Sequence, residues 1–421
     1  MNLGMGIIGL FAVWVFFCSA SGAAEIYDDL QIQYKKYAPD SYATFYLNDK
    51  FVYTEGNFLG QLNLYTETGP IGSWSFDPDP VRFCFHPDAN NNTLLWIGRE
   101  HPLNFTRDFS VDPYGALGSI WAQNQTEALN PRVAGWVGLG FTQETSKDWK
   151  IIGMYSPFFL PTFGPSLGFS DSGELNPERF TRLPPGAAET GGVTVPIRYQ
   201  LEISKLSEIV LQPQAFLGTN FNNGDINFDF YVYTAPDPNA VAETDAKLAV
   251  NGTSADAKVT VQPQFPREYW SGTSVSFKRL PLTPVLEFVQ NLVDYPTHIV
   301  SLTAYFDTPQ FNPFVAKRTS KSTFGILSHF QRQFDDPNLS DCLIFVKIPV
   351  NLTDALVWNT LLQTTLLSMR QSFYWENELE YMLQKNFSLT ADIRVLSGQD
   401  HSYFGDWRDQ DSYSFGVRRQ W

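Results

Sequence analysis

Apolar and polar side chains alternate along the end of the chain. Five apolar positions at every second residue occupy the stretch 387–395, and they are Phe387, Leu389, Ala391, Ile393 and Val395. Residues 412–421 repeat the pattern, with apolar side chains at Tyr413, Phe415, Val417 and Trp421. Because successive side chains of a β-strand point to opposite faces, the pattern predicts two strands, each with one apolar and one polar face.

Comparable segments recur along the whole chain, separated by Gly, Pro, Asn and Asp. They are 42–47, 58–66, 81–86, 93–99, 133–142, 149–159, 193–204, 226–232, 273–279, 285–291, 298–306, 323–330, 342–350 and 373–384. Residues 355–369 carry apolar side chains at both odd- and even-numbered positions. A strand is therefore only weakly predicted there, and a partly helical segment is the alternative. The remaining pattern predicts an all-β protein.

Alternation of this kind fits two architectures, a soluble β-sandwich and a transmembrane barrel. The segments favour the barrel because they approach the length that a tilted membrane strand needs. The barrel is also favoured by a concentration of charge on the polar faces of the last strands, at Glu376, Glu378, Glu380, Asp392, Arg394 and Arg418. Such side chains suit a wet lumen. The composition, with 15% aromatic and 17% charged residues, fits an outer wall that faces lipid.

The first residues read as a targeting segment. An apolar run from Gly6 to Phe17 precedes small residues up to Ala24, which predicts a signal peptide over residues 1–24. The run has no preceding Lys or Arg and is shorter than the roughly 20 residues of a membrane-spanning helix. We expect residues 25–39 to form a short periplasmic lead and residues 40–421 to form the barrel.

The last strand resembles the C-terminal strand of bacterial outer-membrane β-barrel proteins. The matching positions are Tyr413, Phe415, Val417 and Trp421, although Phe is usual at the last position and Arg419 replaces an apolar residue. The resemblance implies a transmembrane antiparallel β-barrel in the bacterial outer membrane, in contact with its lipid. It also implies that this strand is recognised by the barrel-insertion machinery.

The same resemblance bounds the size of the barrel. Both termini of such barrels lie on the periplasmic side, which requires an even number of strands, and the candidate segments give about 16–18. Porins of this size are often trimers, so the resemblance allows a homotrimer.

A porin-like channel for passive diffusion of small hydrophilic solutes or ions is the function we expect. Its lumen would carry an acidic ladder at Glu376, Glu378 and Glu380 beside Asp392, faced by Arg394 and Arg418. The residues Gly98-Arg99 before Pro102 are similar to a strand of porins and of anion or sugar channels, which implies a lumenal Arg99. The alternative is that these residues form a surface turn in which Arg99 makes a salt bridge. The net charge of −15 predicts a mild preference for cations.

Two other functions remain open, a transporter of hydrophobic substrates with a plugged lumen and a closed structural or adhesive barrel. The long insert 161–192 either enters the lumen or lies outside it, and 236–256 reads as a second long polar loop. Cys84 and Cys342 are expected to be thiols rather than a disulfide. The five histidines show no metal-ligand spacing, so we expect no catalytic site, metal or cofactor, and the absence of a basic patch argues against nucleic acid.

Overall fold

The computed structural model describes most of the chain from residue 25 onwards. The described ranges are 25–37, 43–55, 58–68, 74–87, 92–100, 135–160, 168–169, 175–176, 187–190, 193–202, 204–237, 241–251, 254–278, 282–292, 297–307, 321–331, 342–353, 355–366, 371–384, 386–398 and 411–420. The expected signal peptide and Trp421 lie outside them. No helix in these ranges has the length and apolar character to cross a bilayer.

Strands dominate the described ranges, which contain 24 of them and one short helix. In chain order these are β1 (Glu25–Tyr37), β2 (Ala43–Glu55), β3 (Phe58–Thr68), β4 (Trp74–Phe85), β5 (Thr93–Glu100), β6 (Trp136–Ser146), β7 (Trp149–Ser156), β8 (Gly168–Phe169), β9 (Leu175–Asn176), β10 (Ala187–Thr190), β11 (Val193–Leu201), α1 (Leu206–Val210), β12 (Gln214–Asn222), β13 (Ile226–Pro236), β14 (Val241–Asn251), β15 (Ser254–Gln264), β16 (Arg267–Phe277), β17 (Leu282–Asn291), β18 (Thr297–Asp307), β19 (Lys321–Gln331), β20 (Cys342–Asn351), β21 (Leu356–Leu366), β22 (Ser372–Gln384), β23 (Phe387–Gly398) and β24 (Ser412–Gln420).

Eighteen of these strands form one sheet that closes on itself. Each pairs antiparallel with its neighbour along the chain, except that β7 pairs with β12 and β13 with β16. The circle closes where β1 pairs with β24, with Ile32 opposite Val417 and Tyr34 opposite Phe415. Closure leaves the sheet without an edge, so every strand has hydrogen-bonded neighbours on both sides. The expectation of an antiparallel barrel of 16–18 strands is confirmed.

The outer face of the barrel carries large apolar side chains that are exposed. Members of this set on successive strands are Ile32, Phe83, Phe85, Leu95, Ile97, Leu139, Phe141, Tyr155, Leu217, Phe230, Leu286, Phe288, Leu362, Trp375, Leu379, Ile393 and Phe415. An apolar outer face on so many described strands is costly in water and favourable in hydrocarbon.

The two ends of the barrel differ in their connections. We call the end where β1 begins and β24 ends the terminal end, and the opposite end the loop end. Most turns at the terminal end are short, such as 56–57, 147–148 and 385–386, whereas 308–320 is longer. The loop end carries the long connections 101–135, 157–213 and 237–266, so any structure that covers the lumen comes mainly from there.

A separate four-stranded sheet, which we call the accessory sheet, is formed at the loop end. Its order is β10-β11-β15-β14, with β11 and β15 parallel. The hairpin β14–β15 continues directly from β13 and returns to β16, so the accessory sheet joins two neighbouring barrel strands. Side chains 243–248 of β14 are exposed on both faces, which marks this strand as a free-standing edge.

Several expectations from the sequence are corrected by this topology. Residues 25–37 are not a lead but β1, whose side chains alternate between the outer face (Ile32) and the inner face (Lys35). Residues 193–201 form a strand as predicted, but it belongs to the accessory sheet, since a soluble two-faced sheet requires the same alternation.

Two further segments differ from their sequence interpretation. Residues 236–256 are not a polar loop but mostly the strands β14 and β15, which pair from Val241–Gln264 to Asn251–Ser254. The segment that allowed a helix is strand β21, paired on both sides. Cys84 is buried, and most of the 161–192 insert lies outside the described ranges.

Candidate functional site: the inner wall of the barrel

Charged side chains concentrate on the inner face of β22, β23 and β24, which we call the charged wall. The register puts Glu376 opposite Arg394, Glu378 opposite Asp392, and Ser388 opposite Arg418. The inner face is identified by burial, because Asp392 and Arg394 are buried whereas the alternate Ile393 is 53% exposed on the outer face. Side-chain alternation therefore places the predicted acidic ladder and its basic partners on one inner surface.

Glu376 and Arg394 form an ion pair within this wall. Nη2 of Arg394 lies 3.0 Å from Oε1 of Glu376, and the two side chains are 4% and 5% exposed. The second carboxylate oxygen of Glu376 accepts a hydrogen bond from the Tyr374 hydroxyl at 2.6 Å. A buried carboxylate with a cation and a hydroxyl donor has most of its lost hydration replaced.

The other two acids of the ladder accept hydrogen bonds from neighbouring strands. Nδ2 of Asn359 donates to Glu378 at 3.0 Å, and the Ser388 hydroxyl donates to Glu380 at 2.8 Å. Glu376, Glu378 and Glu380 thus follow one line along β22, each fixed by a donor from β21, β22 or β23. Fixed orientation is what a charge ladder requires in order to act on a passing solute.

The cations lie on the same side of the barrel as the acids, not across the lumen from them. Arg394 lies on β23 next to the ladder and Arg418 on β24, one strand further away. Lys35 is added by β1, which pairs with β24, and Lys347 by β20, which lies beyond β21. The expectation of acidic and basic walls facing each other is therefore wrong. Glu376 and Arg394 neutralise one another at short range, whereas Glu378 and Asp392 put two acids side by side, so the wall carries charges of both signs.

Arg99 does not join this wall. It pairs with Val81 and Val137 and shares the parity of Leu95 and Ile97, which are exposed on the outer face. Its Nε donates to the carbonyl of Gly135 at 3.4 Å, close to the loop end. The odd-numbered side chains of β5 lie on the outer face, because side chains alternate strictly along a strand. This register corrects the expectation of a lumenal Arg99.

The inner face of β12, β13 and β16 is polar in a different way, with amides surrounding one carboxylate. Nδ2 of Asn220 donates to Asp229 at 2.6 Å and Nδ2 of Asn227 at 3.1 Å, while the Ser274 hydroxyl donates at 3.0 Å. All four side chains are buried. A carboxylate with three donors is well satisfied, so this cluster holds the three strands together.

Aromatic rings cover the inner face between this cluster and the loop end. Tyr233 stacks on Trp270 with 6.4 Å between ring centroids, and Trp136 meets Tyr233 edge-on at 6.0 Å. Tyr231 lies flat over Gly272, where a Cβ would come within 2.2 Å of its ring. Glycine at this position is required by the close approach of the ring to the wall.

Apolar contacts join the loop end to the barrel rim. Phe159, Ile209 of α1 and Phe265 form a buried cluster, with 5.4 Å between the two phenylalanine rings. The backbone N–H of Phe159 donates to the carbonyl of Val210 at 2.8 Å. Since Phe265 connects β15 to β16, this rim cluster attaches the accessory sheet to the barrel.

Several inner residues were not identified from the sequence. Lys35 was missed because residues 25–39 were interpreted as a lead, although the alternation of Gln31, Gln33 and Lys35 with Ile32 and Tyr34 carried the signal. The sequence pattern put Asp229 on the polar face of its strand but did not show which three side chains donate hydrogen bonds to it. Donors come from other strands, so register is needed to find them.

Within the described ranges, no group of three or more His, Cys, Asp or Glu side chains is arranged to hold a metal ion. The carboxylates of the charged wall are spread along β22 and β23 rather than gathered around one point.

Comparisons with known proteins give a result at the level of fold. No protein-family model matches the chain. No curated protein matches its sequence.

Solved structures of similar fold are outer-membrane channel proteins by name. OccK2 (OpdF) of Pseudomonas aeruginosa, solved in complex with glucuronate, has 10% sequence identity and a TM-score of 0.51, covering 94% of this chain and 97% of that chain. Acinetobacter baumannii OccAB2 has 12% identity and a TM-score of 0.50 over 94% and 98%. A BenF-like porin of Pseudomonas fluorescens Pf-5 has 10% identity and a TM-score of 0.50 over 95% and 99%. At these identities the similarity establishes the fold: the chain is a β-barrel of the kind found in these proteins.

Proposed function

We propose that this protein is a porin-like channel of the bacterial outer membrane that lets small hydrophilic solutes or ions diffuse passively through its lumen. The observation that carries the proposal is the division of the barrel wall. Its outer face is an exposed apolar belt and its inner face bears charged and amide side chains. Only a closed barrel satisfies all backbone groups of strands in hydrocarbon, and a polar interior is what a passage for water-soluble molecules requires.

Selectivity in this channel comes from short-range contacts with the charged wall. Glu376 is paired with Arg394, while Glu378 and Glu380 are held by uncharged donors. A solute passing β22 therefore meets charges of both signs instead of a uniform field. The mild cation preference expected from the net charge of −15 is part of the proposal.

A closed structural barrel is the second candidate, because the inner wall is densely packed. Tyr374, Phe345 and Leu361 face inwards and are fully buried, so other groups cover the inner wall at their positions. The two functions differ in permeability: a porin passes solutes, and a closed barrel does not.

Liposome swelling separates these functions. Purified protein is reconstituted into liposomes, which are diluted into isosmotic solutions of uncharged sugars of increasing size. The channel predicts swelling that is fast for the smallest sugar and falls with size, while liposomes with no protein stay unchanged. A rate equal to that of protein-free liposomes for every sugar favours the closed barrel.

Insertion and location follow from the same proposal. We propose that the strand containing Tyr413, Phe415 and Val417, with Trp421 at its end, is the signal for the barrel-insertion machinery. Deleting Trp421 in an expressing Gram-negative cell should reduce the heat-modifiable, outer-membrane form. An unchanged yield of folded protein would rule out a role for this residue.

A further inference from the structure

Strand β14 forms one edge of the accessory sheet, and it is long for an edge strand. In the described part of the chain its eleven residues pair with β15 alone, from Val241–Gln264 to Asn251–Ser254. Its side chains from 243 to 248 are exposed on both faces. We call the side of β14 that faces away from β15 the open side. A strand edge of this kind presents N–H and C=O groups to which a further strand can bind.

The hydrogen bonds of β15 show which residues of β14 are turned to the open side. The N–H of Glu202 donates to the carbonyl of Val261 at 2.9 Å, so the odd-numbered residues of β15 bond towards β11 and the even-numbered ones towards β14. Even positions of β15 lie opposite odd positions of β14, such as Lys258 opposite Lys247. The backbone groups of the five even-numbered residues from 242 to 250 therefore point to the open side.

The charged side chains of β14 stand at odd-numbered positions, which are Glu243, Asp245 and Lys247. Asp245 and Lys247 are 65% and 77% exposed. Lys247 lies directly opposite Lys258, which lies opposite Arg198 of β11, so three cations form one row across the accessory sheet. Like charges in direct register repel each other. An acid placed opposite Lys247 on the open side therefore stabilises this row.

A second copy of β14 supplies such an acid in one antiparallel register without putting like charges opposite each other. Backbone pairing on the open side requires even-numbered residues opposite even-numbered ones. With Ala246 opposite Ala246 of the other copy, Asp245 of each copy lies opposite Lys247 of the other. Moving the partner by two residues in either direction brings the two Asp245 or the two Lys247 face to face. The charges of β14 therefore select one register.

We propose that β14 is the interface between two copies of this chain, at which two accessory sheets join edge to edge into one eight-stranded sheet. Two ion pairs between Asp245 and Lys247 flank the two-fold axis at Ala246. Side chains approach most closely in the pairs that exchange no hydrogen bonds, and the odd-numbered pairs are of this kind. β14 contains no proline, so each outward N–H can donate.

An interface that uses the same surface on both copies is complete at two copies. It lies on the accessory sheet, outside the barrel, and does not rest on the proposed channel function.

Light scattering during size-exclusion chromatography of the full-length protein in detergent measures the assembly. We expect the natural protein to form dimers as its concentration is raised. Asp245→Lys and Lys247→Asp each put like charges opposite each other, and each should weaken dimerisation by about tenfold. The double variant Asp245→Lys with Lys247→Asp restores opposite charges in the same register and should dimerise like the natural protein. A mixture of the two single variants should form mixed dimers for the same reason.

The matched control is Glu189→Lys, which reverses an exposed acid on β10, at the other edge of the same sheet. It should leave dimerisation unchanged.

A disulfide tests the register itself. Ala246→Cys places a thiol opposite its own copy, within the Cα separation that a disulfide spans, so mild oxidation should link the two copies. Thr244→Cys lies on the same face but roughly 14 Å from its copy along the strands, and it should not link them. The natural protein shows how much linkage its own cysteines produce.

A natural protein that remains monomeric at all concentrations would overturn the interface. Charged side chains on a sheet edge also keep strands apart, and that role predicts this result. A dimer or trimer that persists unchanged in both single charge variants would overturn the interface as well, because the copies then meet at another surface. Equal linkage in Ala246→Cys and Thr244→Cys, or a double variant that stays monomeric, would overturn the register and with it the proposal.

Discussion

Arg394 and Glu376 form an ion pair inside the barrel, with 3.0 Å between the guanidinium and the carboxylate and almost no exposure of either side chain. The pair joins β23 to β22 on the inner wall. Both oxygens of Glu376 have a partner, because the Tyr374 hydroxyl donates to the second one. This ion pair therefore lies on the charged wall and also holds β22 and β23 together.

Removing one member of this pair should destabilise the barrel strongly. Arg394→Met leaves Glu376 buried without a cation, and we expect a loss of about 3–5 kcal/mol in the free energy of unfolding. The double variant Arg394→Met with Glu376→Gln should recover most of it. Denaturant unfolding in detergent or vesicles measures both.

The control for this prediction is an exposed ion pair on the same barrel. Lys150 and Glu144 lie 2.9 Å apart at the terminal end, with side chains 38% and 41% exposed. Lys150→Met should cost less than about 1 kcal/mol, because water screens the pair. Equal losses in Arg394→Met and Lys150→Met would contradict the interior position of the first pair.

A charge placed on the outer belt tests contact with lipid. Ile393 lies midway along β23 and is 53% exposed on the outer face. In a bilayer, Ile393→Arg should cost about 2–4 kcal/mol, because the guanidinium is forced into hydrocarbon. Leu248→Arg is the matched control, since Leu248 is 60% exposed on the accessory sheet and its replacement should be nearly neutral. Unfolding from vesicles measures the difference, and equal costs would argue against a membrane-embedded belt.

Gly272 should tolerate no side chain. A Cβ there would lie 2.2 Å from the ring of Tyr231, which is fully buried and cannot move away. Gly272→Ala is expected to lower stability by about 1–3 kcal/mol through overpacking. The comparison is Gly218→Ala, where the nearest atoms are 3.0 Å away on the Phe216 ring, and the loss should be smaller. Urea unfolding measures the two losses of stability. A larger loss in Gly218→Ala than in Gly272→Ala would contradict the position of the Tyr231 ring.

The rim cluster should hold the accessory sheet in place. Phe159→Ala removes a ring packed on Phe265, and we expect faster hydrogen exchange across β15 with little change in the barrel strands. Phe158→Ala is the control, because Phe158 is 42% exposed. Hydrogen exchange read by mass spectrometry distinguishes them, and unchanged exchange in Phe159→Ala would show that other contacts hold the sheet.

Alternation in the sequence was sufficient for the architecture because both faces of a barrel strand are constrained. One face must be apolar and the other polar, so β23 and β24 could be predicted almost to their ends. The same pattern led to a wrong position for β11, which alternates equally well but belongs to the accessory sheet. A sheet with one solvated face imposes the same pattern as a membrane wall.

The charged wall could be predicted in part. Alternation alone put Glu376, Glu378 and Asp392 on one face, which is the face that they share in the register of β22 and β23. Their pairing depends on the length of the 385–386 turn, and one residue more or less would have changed every partner. Lys35 enters only when β1 closes the barrel against β24, a contact between distant parts of the chain that no local pattern reports.

Ion conduction across a planar bilayer tests the channel most directly. Purified protein is added to one side, and the reversal potential is then measured under a salt gradient. The account predicts stepwise increases in current and a reversal potential of the sign that indicates a mild preference for cations. A membrane that stays silent, although the protein is inserted and folded, would contradict the channel, and an anion-selective current would contradict the preference for cations.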